Sequence, residues 1–86
     1  MITKNYQALT AGKLVASGPG TATLTANSVA QWAVGDSSSA APTLVTRHAA
    51  PFAENVSMQL DTGEHLWVFG AEVVAVTAEN PAAGDI

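Results

Sequence analysis

The residues that could do chemistry are few and widely spaced. His48 and His65 could bind a metal with help from Asp61 or Glu64, since two imidazoles and a carboxylate suit an open zinc site. Glu64 and His65 are neighbours, however, so on a strand their side chains point to opposite faces, which spoils the simplest shared site. Ser37, Ser38 or Ser39 could act as a nucleophile, with His48 as base and Asp36 or Asp61 to orient it. Those serines stand in a flexible segment without the glycine-flanked elbow that would hold one rigidly. Asp36 with Asp61, or Glu64 with Glu72, could form a glycosidase acid and base pair, but nothing in the spacing sets their separation. Gly18-Pro19-Gly20 is a turn with no phosphate-loop pattern around it. The expectation is therefore a non-enzyme with no catalytic residue, no metal ligand and no cofactor.

The aromatic residues offer a second kind of chemistry. Trp32, Trp67 and Tyr6 could stack on sugar rings. Trp32 alternates with Ala30 and Val34, which places it in a core. Trp67 sits in a more open context, where a subunit interface is the favoured reading and core or ligand platform are the alternatives. Thr21, Thr23 and Thr25 share one face of a strand, either solvated or in polar contact with a neighbouring subunit.

The elements that must position these residues are strands. Short β-branched runs lie between turn signals. They are Leu9–Ser17, Thr21–Ala26, Val29–Val34, Thr43–His48, Val56–Leu60, His65–Gly70 and Glu72–Ala78. Asn27-Ser28 and Asp61-Thr62-Gly63-Glu64 read as hairpin turns, with Gly63 free to take a positive φ. Ala49 to Asn55, with Pro51, reads as a connection. Seven strands at spacings near ten residues favour an all-β fold, a small antiparallel β-sandwich or jelly-roll-like barrel. A single β domain over residues 1–86 is expected, with residues 1–8 as an N-terminal arm and 79–86 as a loose C-terminal tail. The expected core is Leu14, Leu24, Trp32, Val34, Leu44, Val56, Met58, Leu60, Val68 and Val76.

Leu66-Trp67-Val68-Phe69 and Val73-Val74-Ala75-Val76 are apolar on both faces. A strand of a two-sheet sandwich needs only one apolar row. In so small a chain the obvious cover for the second row is another copy. The expected subunit interface is therefore Leu66, Trp67, Phe69, Val73 and Val74, and Trp67→Ala should shift the mass toward monomer. The alternative is that both are central strands lying under loops.

Composition narrows the partners. The chain has 86 residues and no cysteine, so disulfides and thiolate metal sites are excluded. Lys4, Lys13 and Arg47 face seven acidic residues, for a net charge of −4. Three cations are too few for a nucleic-acid footprint or an anionic membrane surface. Charged residues make up 12% of the chain, about half the usual share, so Thr, Ser, Ala, Gly, Asn and Gln must build the surface. Met1 to Ala8 has no apolar stretch of signal-peptide length, and Val73 to Val76 is far too short to span a bilayer. A soluble chain that is not exported by a standard signal is the expectation.

Leu9-Thr10-Ala11-Gly12, Thr21-Ala22-Thr23-Leu24-Thr25-Ala26 and Gln31-Trp32-Ala33-Val34-Gly35 resemble small virion proteins of tailed bacteriophages and prophages. Asp61-Thr62-Gly63-Glu64-His65-Leu66-Trp67-Val68 looks like their late glycine-aromatic hairpin, and Val74-Ala75-Val76-Thr77-Ala78-Glu79 is similar to their closing strand. The likeness runs from Ala8 to Glu79. It implies a virion structural protein, made in the host bacterial cytoplasm, that decorates or cements a capsid. The partners implied are itself, as a homo-oligomer with a trimer favoured, and other virion proteins such as the major capsid protein. The alternative is a receptor-binding or fibre-tip module for host surface glycans, whose mark would be Trp67 or Tyr6 exposed beside Asp36 or Asn27.

Overall fold

A computed structural model describes residues 2–26, 30–42, 48–50, 55–70 and 73–83. The described strands are β1 (Ile2–Gln7), β2 (Lys13–Ser17), β3 (Gly20–Ala26), β4 (Ala30–Gly35), β5 (His48–Ala50), β6 (Asn55–Leu60), β7 (His65–Phe69) and β8 (Val73–Ala78). They form two antiparallel sheets, β1-β8-β3-β6 and β2-β7-β4-β5. The all-β sandwich read from the sequence is therefore the observed architecture.

The pairing has a simple logic. β1 pairs with β8, β2 with β7, β3 with β6 and β4 with β5. The chain doubles back once, between β4 and β5, into a long two-stranded ribbon. The ribbon then rolls up, so that β3 also pairs with β8 and β4 with β7. Among the described residues this is the strand order of an eight-stranded jelly roll.

Alternation places the side chains as period-two patterning requires. Ala22 and Leu24 of β3, and Val74, Val76 and Ala78 of β8, are buried between the sheets. Thr21, Thr23 and Thr25 face outward. Each ties to its β6 partner: Thr21 Oγ1 donates to Gln59 Oε1 at 3.1 Å, Thr23 and Ser57 hydroxyls meet at 3.0 Å, and Thr25 Oγ1 donates to Asn55 Oδ1. Thr3 and Thr77 hydroxyls meet at 2.7 Å on the same face.

Several local expectations differ from the structure. The first eight residues are not an arm, because Ile2 to Gln7 pair with β8 along their whole length. Tyr6 is fully buried, and its hydroxyl donates to the Ala82 carbonyl at 2.6 Å. The C-terminal segment is not loose through Ala82. Pro81 bridges to Ala16, the Ser17 amide donates to the Asn80 carbonyl and the Ala82 amide to Val15. β3 and β4 are not hairpin partners, and neither are β6 and β7, because each pair is split between the two sheets. Gly63 does take a positive φ of 88°, but its turn is a corner between sheets. His48 begins β5 and Ala49-Ala50 extend it, where the sequence reads a connection. Leu44 and residues 43–47 of the strand expected over Thr43–His48, the turn at Asn27-Ser28, Pro51 and Glu72 lie outside the described residues.

A β-bulge changes the use of β2. Leu14 pairs with Trp67 and Ala16 with Leu66, so Val15 is the extra residue. Leu14 thus leaves the face of Ala16 and packs beside Trp67 on the outside of its sheet, while Val15 and Ala16 both enter the core. Leu24, Leu60, Val68 and Val76 are core as expected, and Trp32, Val34, Val56 and Met58 pack against it while half-buried.

The corner after β2 is tight. The Gly18 amide donates to the Glu64 carbonyl at 2.8 Å. A Cβ on Gly18 would stand 2.0 Å from the Asp61 carbonyl oxygen. Gly18→Ala should therefore push two corners apart and lower stability by about 1–3 kcal/mol. The check is a fall in the urea midpoint at unchanged slope; an unmoved midpoint would show that the corners yield freely.

Candidate functional site

The second apolar row of β7 decides what this sheet can do. Leu66 and Val68 point inward to the main core. Trp67 and Phe69 point outward, where they form a second cluster with Ala33, packed by Leu14 and Ala41. Its cover comes from the chain itself. The segment after β4 folds back over the sheet, and Trp67 Nε1 donates to the Ser37 carbonyl at 3.1 Å. Gly35 lies directly under Pro42, and Gly12 under Phe69 and Ala41, close enough that a Cβ at either glycine would collide.

This corrects the expected subunit interface. Leu66, Phe69 and Val74 are buried, and Trp67 is only 7% exposed, all within one chain. Only Val73 keeps partial exposure, on the outer face of the other sheet. Tyr6 and Trp67, expected as exposed sugar platforms under the glycan reading, are both buried. Asn27 lies outside the described residues.

A cavity of about 530 Å³ opens at the end of the sandwich, where the folded-back segment meets the start of β7. Asp36, Ser37 and Glu64 supply its polar groups, and Val34, Ala41 and Pro42 its apolar wall. The polar groups are largely committed to the local fold. Ser37 Oγ accepts from the Ser39 and Ala40 amides, both at 3.1 Å, so it caps a turn. A Glu64 carboxylate oxygen accepts from the Asp61 amide at 2.7 Å, closing the corner. Asp36 is exposed to solvent.

The structure joins one pair that the sequence does not announce. Ser17 and His65 are cross-strand partners, and Ser17 Oγ lies 2.7 Å from His65 Nδ1. The only forewarning was the β2–β7 register, which residue types alone do not give. A serine–histidine contact becomes a nucleophile and base only when a third group orients the ring. Among the described residues no carboxylate bonds His65. Among the described residues no hydrogen bond joins Asp36 or Ser37 to this pair, and the side chain of His48 lies outside the described residues. Among the described residues no three His, Asp or Glu side chains gather as a metal site.

Comparison with family models, with curated proteins and with solved structures finds no match to this chain.

Trp67 therefore acts in folding. Trp67→Ala should cost about 3–5 kcal/mol, as removal of a buried aromatic side chain does, and should leave the mass of the folded protein unchanged. Chemical denaturation and light scattering on the same sample check both parts. A lower mass with little loss of stability would restore the interface reading.

Proposed function

We propose that this chain is a non-enzymatic structural protein of a bacteriophage virion, a capsid decoration or cement protein that works in multiple copies on the major capsid protein. The observation that carries the reading is the outer face of the β1-β8-β3-β6 sheet. Each strand gives it three outward positions: Thr3, Asn5 and Gln7; Val73, Ala75 and Thr77; Thr21, Thr23 and Thr25; Asn55, Ser57 and Gln59. None carries a charge. Four cross-strand side-chain bonds hold its hydroxyls and amides in place before any partner arrives. A pre-ordered face loses little side-chain freedom on binding. A neutral one meets no like-charge penalty when many copies crowd together.

The jelly-roll topology supports the same reading, being a common design for capsid proteins as well as lectins and cupins. Fold alone does not choose among these. The glycan-binding alternative loses the aromatic platform it required, since Tyr6 and Trp67 are internal.

The test is proteomic and electrostatic. Particles induced from the strain that encodes this chain should contain it in many copies after density-gradient banding. The chain should stay bound through a wash in about 1 M salt, where ion pairs between exposed charges are screened. Recovery only in the free protein fraction overturns the virion reading. Release by salt overturns the neutral face as its mode of attachment.

A further inference from the structure

Among the described residues two four-stranded sheets have four edges, and those of β2 and β1 are protected in ways natural sheets use. The β2 edge is strapped by the C-terminal segment through the Asn80 carbonyl, Pro81 and the Ala82 amide. β1 carries Lys4 at mid-strand and is pinned to Ala82 through Tyr6.

β6 is different. It runs six residues, Asn55-Val56-Ser57-Met58-Gln59-Leu60, with no charge, no proline and an unbroken register against β3. Among the described residues its other edge pairs with nothing. The core is also open beside it. Val56 and Met58 point inward, yet remain partly exposed, while Leu24 and Val76 on the neighbouring strands are fully buried.

We propose that β6 pairs antiparallel with β6 of a second copy, across a two-fold axis through Ser57, joining two four-stranded sheets into one of eight. The inference rests on the homo-oligomeric part of the proposed function and gives it a surface; the two-fold departs from the trimer favoured by the sequence. Three observations select a second copy as the occupant. A pairing centred on Ser57 keeps each face intact, setting Val56 opposite Met58 of the partner subunit and Asn55 opposite Gln59 of the partner subunit. The two half-exposed apolar side chains then cover each other. Two chains of net charge −4 repel in general, and β6 offers an uncharged line along which they can meet. The pairing is self-complementary, as a two-fold contact must be.

The chain has no cysteine, so single-cysteine variants report cleanly. Light scattering should give twice the chain mass of 8.7 kDa. S57C should form a disulfide-linked dimer under mild oxidation, because opposed strand residues lie within bridging distance. T62C, on an exposed turn, should not cross-link above background. S57K/Q59K, which sets like charges opposite one another, should halve the mass. Should the lysine variant fail to fold, the cross-linking pair decides alone. A monomer through millimolar concentration, or S57C cross-linking no faster than T62C, overturns the pairing. Either result leaves particle incorporation, a separate measurement, standing or falling on its own.

Discussion

A strand that is apolar on both faces must be covered twice, and in this protein that requirement falls on β7. Its inner row meets the opposite sheet, as in any sandwich. Its outer row meets the segment from Asp36 to Pro42, which gives up the Ser37 carbonyl to the indole of Trp67. Much else follows from that cover. Gly35 and Gly12 must lack side chains to let it close. Leu14 must be turned outward by the bulge to fill beside Trp67. The Ser37 hydroxyl is spent on holding a turn.

The two outer faces of the sandwich therefore differ in kind. One is overlaid by its own chain. The other carries no overlying segment among the described residues, and is neutral and braced by hydroxyl and amide bonds between strands. The distinction matters because a net charge of −4 on a chain with ten charged side chains (three basic and seven acidic) leaves large areas where surfaces can approach without electrostatic cost. Contacts on such a face rest on shape and hydrogen bonding rather than on charge.

What could be read in the sequence was what is local. Thr21-Ala22-Thr23-Leu24-Thr25-Ala26 alternates cleanly, and Ala22 and Leu24 stand inward with the threonines outward. The all-β class and the positive φ of Gly63 follow from equally short stretches. What could not be read was what depends on distant chain. The two-faced pattern of Leu66 to Phe69 correctly demanded a second cover, but no spacing rule says whether a loop some thirty residues earlier or another molecule provides it. The turn at Asp61 to Glu64 has hairpin chemistry, yet the same residues can carry the chain to the other sheet. Ile2-Thr3-Lys4-Asn5-Tyr6-Gln7 hides its strand character because Lys4 shares the face of Tyr6, and only the bond to Ala82 reveals Tyr6 as core. Ser17 and His65 meet through a register that is itself a product of the fold.

The rolled ribbon also sets an order of assembly. β4 and β5 lie close along the chain, so joining them closes the shortest loop, whereas Ile2 must find Ala78. Closure entropy grows with the length of chain enclosed, so the pairings nearest the tip cost least and each one shortens the loop left for the next. Loop closure therefore favours zipping from the tip of the ribbon towards its ends. On the ribosome β1 emerges long before its sheet partner β8. Pulse-labelled hydrogen exchange would show this as amide protection reaching β1 and β8 last. Until β8 is made the sheet lacks one of its two interior strands, and the nascent protein is exposed to wrong partners.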